Sequence, residues 1–213
     1  REPAIYNAII SAIASGCSKM NEISSNVGED SSVCAIYVKN LIMLGIVKKE
    51  LPYGEKASRK TIYSIEDNMF RFWYRFIPAN VSIISRGAAD LAYKRIAPEL
   101  PHYMGGVFEE ICKQYLWRLI LEGKCAVNFS DIGRWWGNNP TTRRQEEIDI
   151  MGADNDSALF GECKWNNENV DLGVLEKLAE RSNLFRFNKK YLYLFSKTGF
   201  TQGCIDEAAA MGN

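Results

Sequence analysis

Two strand-like segments joined by a short turn constrain the fold of this chain more than any other feature of its sequence. They are Gln145–Met151 and Ala158–Trp165, and residues 152–156 between them have the Gly-Ala-Asp-Asn-Asp composition of a tight hairpin loop. Further strands are predicted over Ala126–Trp135 and Tyr191–Phe195. The helices predicted around these strands are Gly106–Leu121, Leu172–Phe185 and a last helix from Thr201. Residues 101–213 are therefore expected to form a domain of helices around a sheet.

The predicted hairpin carries charged side chains at positions where a sheet often buries apolar ones. Because side chains alternate between the faces of a strand, Asp149 is expected on the face opposite to Ile148 and Ile150. Glu162 and Lys164 share one face of the next strand, which pairing would bring close to Asp149. Buried carboxylates are costly unless they are paired or bound to a metal. The alternative is that Glu162 and Lys164 lie on a solvated face and neutralise each other.

A fourth charged residue comes from the helix predicted over Gly106–Leu121. On a helical wheel, Glu109 falls at the edge of the apolar face, whereas Glu110 points to solvent. The apolar face comprises Phe108, Ile111, Cys112, Tyr115 and Leu119. Glu109 is therefore the carboxylate of this helix that could lean over the sheet.

Composition excludes several classes of site and location. With His102 as its single histidine, the chain is poorly suited to a zinc centre or to a nucleophile that depends on an imidazole base. Its six cysteines form no C-x-x-C pair, which indicates reduced thiols. No G-x-x-x-x-G-K-[ST] loop occurs, so no ATP site of that type is expected. No secretory signal and no run of about 20 apolar residues is visible, so we expect a cytoplasmic protein without membrane contact.

The first 67 residues show three helical segments followed by a basic hairpin, a plan typical of a winged helix-turn-helix. The net charge of the whole chain is zero, but residues 31–60 hold six Lys or Arg against two Glu. In that fold the third helix enters the major groove and the hairpin contacts phosphates. The residues predicted to contact nucleic acid are Lys39, Lys48, Lys49, Lys56, Arg59 and Lys60. Because the third helix is poor in Arg, Asn and Gln, protein contacts are the alternative.

Residues 68–100 are predicted to be a helical connector rich in aromatic residues. The run Phe70–Phe76 is followed by Pro78, and one helix is expected over Val81–Ala97. Aromatic rings interleaved with arginines could stack on single-stranded nucleic acid. Packing against neighbouring parts of the chain is the favoured interpretation, because so apolar a run is costly to expose.

Three short motifs resemble those of a known superfamily. Gly106–Glu109, Glu147–Ile150 and Gly161–Trp165 are similar to motifs of the PD-(D/E)xK nucleases, which include restriction endonucleases and archaeal Holliday-junction resolvases. The proline of the motif name is absent, since Ile148 stands in its place. With the run Phe72–Phe76 between a winged helix and this domain, the chain resembles the C-terminal half of archaeal-type AAA ATPases that carry the nuclease-like domain of unknown function 234.

The resemblance implies a catalytic set of Glu109, Asp149, Glu162 and Lys164. Asp149 and Glu162 would be the main ligands of Mg²⁺ or Mn²⁺, the Cys163 carbonyl could add one, and Glu109 would reach the ion directly or through water. Lys164 would orient the attacking water or neutralise charge on the phosphate. A histidine base is then unnecessary.

The fold implied is α+β, with an N-terminal winged helix-turn-helix (1–67), the connector (68–100) and a restriction-endonuclease-like α/β domain with a central mixed sheet (101–213). The function implied is a metal-dependent phosphodiesterase coupled to binding of nucleic acid, chiefly DNA. The alternative is a catalytically inactive module for nucleic-acid binding, regulation or protein interaction. The resemblance also implies that a longer chain carries an N-terminal AAA module as a partner, and leaves homo-oligomerisation open.

Overall fold

The computed structural model describes residues 2–56 and 60–212, and the chain forms two compact units. Unit 1 comprises Arg1–Leu51 and Lys56–Pro98, and unit 2 comprises Pro52–Glu55 and Glu99–Asn213. Both helices and strands are present, so the protein is of mixed α+β class. Within the described ranges, no helix has the length and apolar character needed to cross a membrane.

Unit 1 begins with three helices and a two-stranded antiparallel sheet, the elements that the sequence predicts. They are α1 (Glu2–Ala14), α2 (Met20–Val27), α3 (Ser31–Met43), β1 (Val47–Glu50) and β2 (Ile62–Ile65). Val47 pairs with Ile65, and both are buried against the helices. Gly28, at φ 77°, ends α2 in a left-handed conformation that suits glycine. The rest of this core consists of Ile9, Ile10, Ile13, Ala14, Ile23, Cys34, Val38 and Leu41.

The second half of unit 1 departs from the sequence prediction of one helix over Val81–Ala97. The structure has α4 (Asn68–Phe76), a 3₁₀ turn at Pro78–Asn80, then α5 (Val81–Ile84) and α6 (Ala89–Ile96). Gly87 separates the last two helices because it adopts φ 78°, which an α-helix does not accommodate. The helical periodicity continues across this break, which is why pattern alone joined the two helices.

Unit 2 contains a four-stranded mixed sheet in the order β3-β4-β5-β6. The first three strands are antiparallel neighbours and β6 runs parallel to β5. The elements are α7 (Leu100–Leu121), β3 (Ile132–Asn138), β4 (Gln145–Ala153), β5 (Ser157–Lys164), α8 (Leu172–Ser182), β6 (Lys189–Ser196) and α9 (Gln202–Ala210). The prediction of a strand from Ala126 is wrong in its start, because residues 126–131 precede β3 outside any strand, with Val127 and Phe129 buried under α7.

The sheet of unit 2 separates two apolar cores. One packs Leu159 of β5 with Cys112 and Leu116 of α7, and the other packs Phe160 with Leu178 of α8. Because Leu159 and Phe160 are adjacent on one strand, α7 and α8 cover opposite faces of the sheet. The site residues of the β4–β5 hairpin are thus enclosed between two helical layers.

Strand β4 does not keep the strict alternation that the sequence suggested. Gly133 pairs with Met151 and Trp135 pairs with Ile148, so a single β3 residue opposes the two residues at 149–150. This is a β-bulge, which shifts the side-chain direction by one residue. Ile148 therefore joins the core under α8 while Ile150 joins the core under α7, which corrects the expectation that they share a face.

Candidate functional site

Asp149 lies in the β-bulge, at the point where β4 and β5 stop pairing. The last paired residues of this ladder are Ile150 and Gly161. One step further, the backbone N–H of Cys163 donates to Oδ2 of Asp149 at 2.8 Å. Within the described chain, Asp149 makes no ion pair with Lys or Arg. The neutral Cys163 N–H therefore holds the carboxylate against β5, and no Lys or Arg of the described residues pairs with its negative charge.

Glu162 is buried, with 6% of its surface exposed, and both of its oxygens meet cations. Nζ of Lys164 donates to Oε1 at 2.6 Å, and Nη1 of Arg181 donates to Oε2 at 3.1 Å. Nε of Arg181 also donates to Oε2 of Glu146 at 2.9 Å. The chain thus brings Glu162 and Lys164 into direct contact, as the alternative interpretation expected, but Glu162 is buried and does not lie on a solvated face.

Arg181 is the residue of this site that sequence reasoning missed. It belongs to α8, whose buried residues are Leu175, Leu178 and Ser182. Arg181 follows Leu178 by three positions, so it lies beside the face that packs on the sheet. An arginine there needs a partner, because charged side chains are rarely buried unpaired. An arginine next to the apolar face of the predicted helix is the sequence signal that could have placed Arg181 in the site.

Glu109 approaches the hairpin from α7 on the other face of the sheet. Burial raises the pKa of its carboxyl group, and the charges of Arg134 and Lys113 oppose that rise. In the described residues, Glu109 has neither a hydrogen bond nor an ion pair, whereas Glu110 pairs with Lys113 at 2.7 Å. Two glutamates adjacent in sequence therefore have different surroundings.

The electrostatics of the site centre on Asp149, whose pKa is raised to about 7. Burial is the largest cause, followed by the negative charges of Glu162 and then Glu109. The Cys163 N–H and the Lys164 ammonium oppose the rise without cancelling it. Near neutral pH, the Asp149 carboxyl group therefore exchanges between protonated and ionised forms.

The thiols beside the site are unsuited to nucleophilic attack. Cys163 lies between Glu162 and Lys164, and its thiol hydrogen-bonds to Cys112 of α7. That hydrogen bond, and then burial, raise the pKa of the Cys163 thiol. Both cysteines are free rather than disulfide-bonded. The chemistry available here is that of carboxylates and ammonium groups.

A divalent cation would have to bind here through few protein ligands. Among residues 2–56 and 60–212, no group of three or more His, Cys, Asp or Glu side chains is arranged to hold a metal ion. Mg²⁺ is usually bound by one or two carboxylates, with waters and substrate phosphates completing its octahedron. The Asp149 carboxylate fits that mode, because it is buried beside the negative charges of Glu162 and Glu109 and has no ion pair of its own. Glu162 fits this mode of binding through one carboxylate oxygen, once Lys164 or Arg181 has moved away from that oxygen.

The residues predicted to contact nucleic acid lie in unit 1. Lys39 on α3, Lys49 on β1 and the loop residues Lys56 and Lys60 are exposed. Lys48 is half-buried and pairs with Glu50 at 3.3 Å. Arg59 lies outside the described residues. The structure thus leaves four of the predicted lysines open to solvent.

The exposed side of α3 carries large apolar residues on either side of Lys39. Ile36 is 63% exposed and Met43 is 77% exposed, and Leu44, just after the helix, is 69% exposed. Ile36 and Met43 are seven residues apart and so lie on one side of the helix. Apolar side chains so exposed are a feature of surfaces that bind other molecules.

Comparison with known proteins assigns the chain to a family. The model of the domain of unknown function 234, described as archaeal and bacterial proteins of unknown function, matches residues 73–179. The chain belongs to this family. An uncharacterized protein of Methanocaldococcus jannaschii is 37% identical over 169 residues, which cover 78% of this chain and 37% of the relative. The chain therefore spans well under half the length of that relative. No solved structure matches it significantly.

Proposed function

We propose that unit 2 of this family member is a metal-dependent phosphodiesterase of the PD-(D/E)xK type that acts on nucleic acid. One observation carries the proposal: Asp149 lies without an ion pair where the β4–β5 ladder opens, with its pKa raised by burial and then by the charges of Glu162 and Glu109. Clustered carboxylates of this kind are expected where a cation or a reacting group is to be bound. Lys164 adds a positive charge to the same site.

Each residue has a distinct task in this proposal. Asp149 and Glu162 would hold Mg²⁺ or Mn²⁺, with Glu109 reaching the ion directly or through water and the Cys163 carbonyl as a further ligand. A bound ion would supply the chemistry of lowering the pKa of its water and stabilising charge on the phosphate. Lys164 orients the attacking water or neutralises the charge that grows on the phosphate. Because Lys164 is bound to Glu162, it must leave that carboxylate before it contacts a phosphate.

Unit 1 is proposed as a winged helix that contacts DNA through its basic hairpin. The arrangement of α1–α3 before β1 and β2, with Lys49, Lys56 and Lys60 exposed, supports this role. The longer relative is consistent with a further module, which we propose to be an N-terminal AAA ATPase. Phosphodiester cleavage would then be coupled to ATP hydrolysis elsewhere in the full-length protein.

A second candidate is a catalytically inactive module for regulation or protein interaction. The exposed side chains Ile36, Met43 and Leu44 favour it, because a helix that reads the major groove uses polar side chains for base edges. The ion pairs that already occupy both oxygens of Glu162 favour it as well. The two candidates differ in whether a divalent cation binds at Asp149.

The deciding experiment is cleavage of a labelled panel of single-stranded, duplex and branched DNA and RNA with Mg²⁺ or Mn²⁺. Wild type is compared with Asp149→Asn and Lys164→Ala. The matched controls are Asp206→Asn on α9 and Lys177→Ala on α8, both exposed in unit 2. Metal-dependent cleavage lost only in the first two variants supports the phosphodiesterase. No cleavage by wild type, or equal cleavage by all five proteins, supports the inactive module.

A further inference from the structure

Lys197 is an exposed lysine that the structure holds in one place. It follows the last residue of β6, and its Nζ donates to Oδ1 of Asn167 at 2.7 Å. The same ammonium lies 5.3 Å from the centroid of the Trp165 ring. The ring of Trp165 packs in turn against Phe108, with centroids 5.2 Å apart. An amide oxygen and an aromatic ring thus fix a side chain that is ordinarily free to move.

The backbone connects Lys197 directly to the candidate site. Its N–H donates to the carbonyl oxygen of Lys164 at 3.1 Å. Lys164 and Ser196 are paired at the carboxyl ends of the parallel strands β5 and β6. Ligands of open α/β sheets bind in the crevice at the carboxyl ends of parallel strands. The backbone of Lys197 is therefore placed beside that of Lys164, at the edge of the sheet where the proposed site lies.

The charge of Lys197 is not neutralised by the protein. Lys113, Lys124 and Lys164 each form an ion pair with a glutamate of unit 2. Lys197 has no carboxylate partner in the described residues, and its two holding groups are neutral. An oriented cation with neutral supports keeps its full attraction for an anion.

We propose that Lys197 binds a backbone phosphate of the nucleic acid, next to the phosphate that lies at Asp149 and Glu162. This inference rests on the proposed function and adds a binding residue to it. Trp165 and Asn167 act by holding the ammonium. The Trp165 ring contacts both Phe108 and the Lys197 ammonium, so we do not propose that it stacks on a base. The contact is then independent of base sequence, as phosphate contacts are.

The test is the salt dependence of binding, measured with Ca²⁺ so that an ion can occupy the carboxylates, on DNA that electrophoresis afterwards shows to be uncut. Fluorescence anisotropy with labelled duplex and single-stranded DNA gives the slope of log K against log salt for wild type, Lys197→Ala and Lys197→Arg. Loss of one phosphate contact reduces that slope by about 0.9 for duplex or about 0.7 for a single strand. Arginine keeps the charge and should restore the slope.

A matched control lies on the same strand. Nζ of Lys190 donates to Oδ1 of Asn183 at 3.1 Å, so it is also a lysine held by an asparagine. Lys190 lies near the start of β6, about 23 Å from Lys197 along the strand. Lys190→Ala changes the net charge equally, and we expect it to leave the slope at the wild-type value. Thermal melting confirms that each variant is folded.

The outcomes separate this inference from the function beneath it. A slope reduced in Lys197→Ala, restored in Lys197→Arg and unchanged in Lys190→Ala supports the phosphate contact. Equal slopes for both alanine variants overturn it, even where wild type cleaves DNA with Mn²⁺. If wild type neither binds nor cleaves nucleic acid, the proposed function fails and the Lys197 contact fails with it.

Discussion

The backbone N–H of Cys163 donates to the Asp149 carboxylate at 2.8 Å, one step beyond the last pair of the β4–β5 ladder. The Asp149 side chain accepts the hydrogen bond from a β5 backbone N–H that a backbone carbonyl of β4 would accept if the ladder continued. The β-bulge at residues 149–150 makes this geometry accessible, because it shifts the direction of the side chain. Burial and the charges of Glu162 and Glu109 then act on a carboxylate that has a fixed position.

Asp149→Asn should stabilise the metal-free protein at alkaline pH. The pKa of Asp149 is about 7 in the folded protein, against 3.8 for an unperturbed aspartate, so folding favours the protonated form. Its contribution to stability is complete below about pH 4 and is lost as pH rises through about 7. Asparagine, always neutral, avoids that loss, which is on the order of 2–4 kcal/mol at pH 8.

Calorimetry in EDTA at pH 4.5 and pH 8 measures this difference. We expect the variant and wild type to differ little at pH 4.5, and the variant to melt higher at pH 8. Groups distant from Asp149 titrate alike in both proteins and cancel in the comparison, whereas Glu162 and Glu109 lose a like-charged neighbour in the variant, which adds to its stability at pH 8. A variant that is equally or less stable than wild type at pH 8 would contradict the raised pKa.

Arg181→Met should destabilise the protein because it leaves Glu146 without its cation and Glu162 with Lys164 alone. Arg181 is 15% exposed, and its partners Glu146 and Glu162 are 17% and 8% exposed. Removing one partner of a buried ion pair costs about 3 kcal/mol. Arg118→Met is the matched control, since Arg118 pairs with Glu122 at 2.8 Å but is 75% exposed.

The comparison of the two variants is made by chemical denaturation followed by tryptophan fluorescence. The control should unfold close to wild type, because exposed ion pairs contribute little. Adding Glu146→Gln to Arg181→Met should recover part of the loss, since one stranded charge is removed. Equal effects of Arg181→Met and Arg118→Met would show that the Arg181 network adds no stability.

The local elements of the chain were well predicted from sequence because their signals are local. Three helices precede a two-stranded sheet within the first 67 residues, as predicted, and the turn between β4 and β5 lies within the predicted residues 152–156. The break at Gly87 and the late start of β3 were missed. Both depend on backbone conformation and tertiary burial, since Val127 and Phe129 are apolar without being in a strand.

The candidate site was predictable only in part for the same reason. Glu162 and Lys164 are two residues apart on one strand, so their contact follows from alternation. The position of Asp149 depends on a bulge, which arises from pairing with β3 and has no signature in the sequence of β4. Arg181 reaches Glu162 through the packing of α8, which is a long-range contact.

Gly161→Ala should destabilise the hairpin that carries the site. A Cβ added at Gly161 would lie 3.0 Å from Cβ of Ile150, which is fully buried in the core under α7. Because Cβ of Ile150 moves only with its backbone, β4 and β5 would separate, at a cost of about 1–3 kcal/mol. Gly105→Ala on α7 is the control, because a Cβ there meets nothing within 4 Å.

Thermal denaturation of both glycine variants tests this expectation. Gly105→Ala should raise stability by about 0.4–1 kcal/mol, because alanine restricts the unfolded chain and suits a helix. Opposite changes in stability for the two substitutions would show that the loss at Gly161 comes from the steric clash and is not a general effect of replacing glycine by alanine. A stable Gly161→Ala variant would mean that the two strands can relax at this pair.

Mn²⁺ should bind unit 2 more tightly at pH 8 than at pH 5.5 if the proposed metal site exists. Protons compete with the cation for Asp149, whose pKa of about 7 lies between the two conditions. Titration followed by electron paramagnetic resonance of free Mn²⁺ gives the affinity at each pH, and the rise in melting temperature gives an independent measure. Asp149→Asn should abolish binding at both pH values, whereas Asp206→Asn, on exposed α9, should still bind the ion more tightly at pH 8. Binding of equal strength at both pH values, or binding that survives in Asp149→Asn, would place the cation elsewhere and remove the basis for phosphodiester chemistry at Asp149.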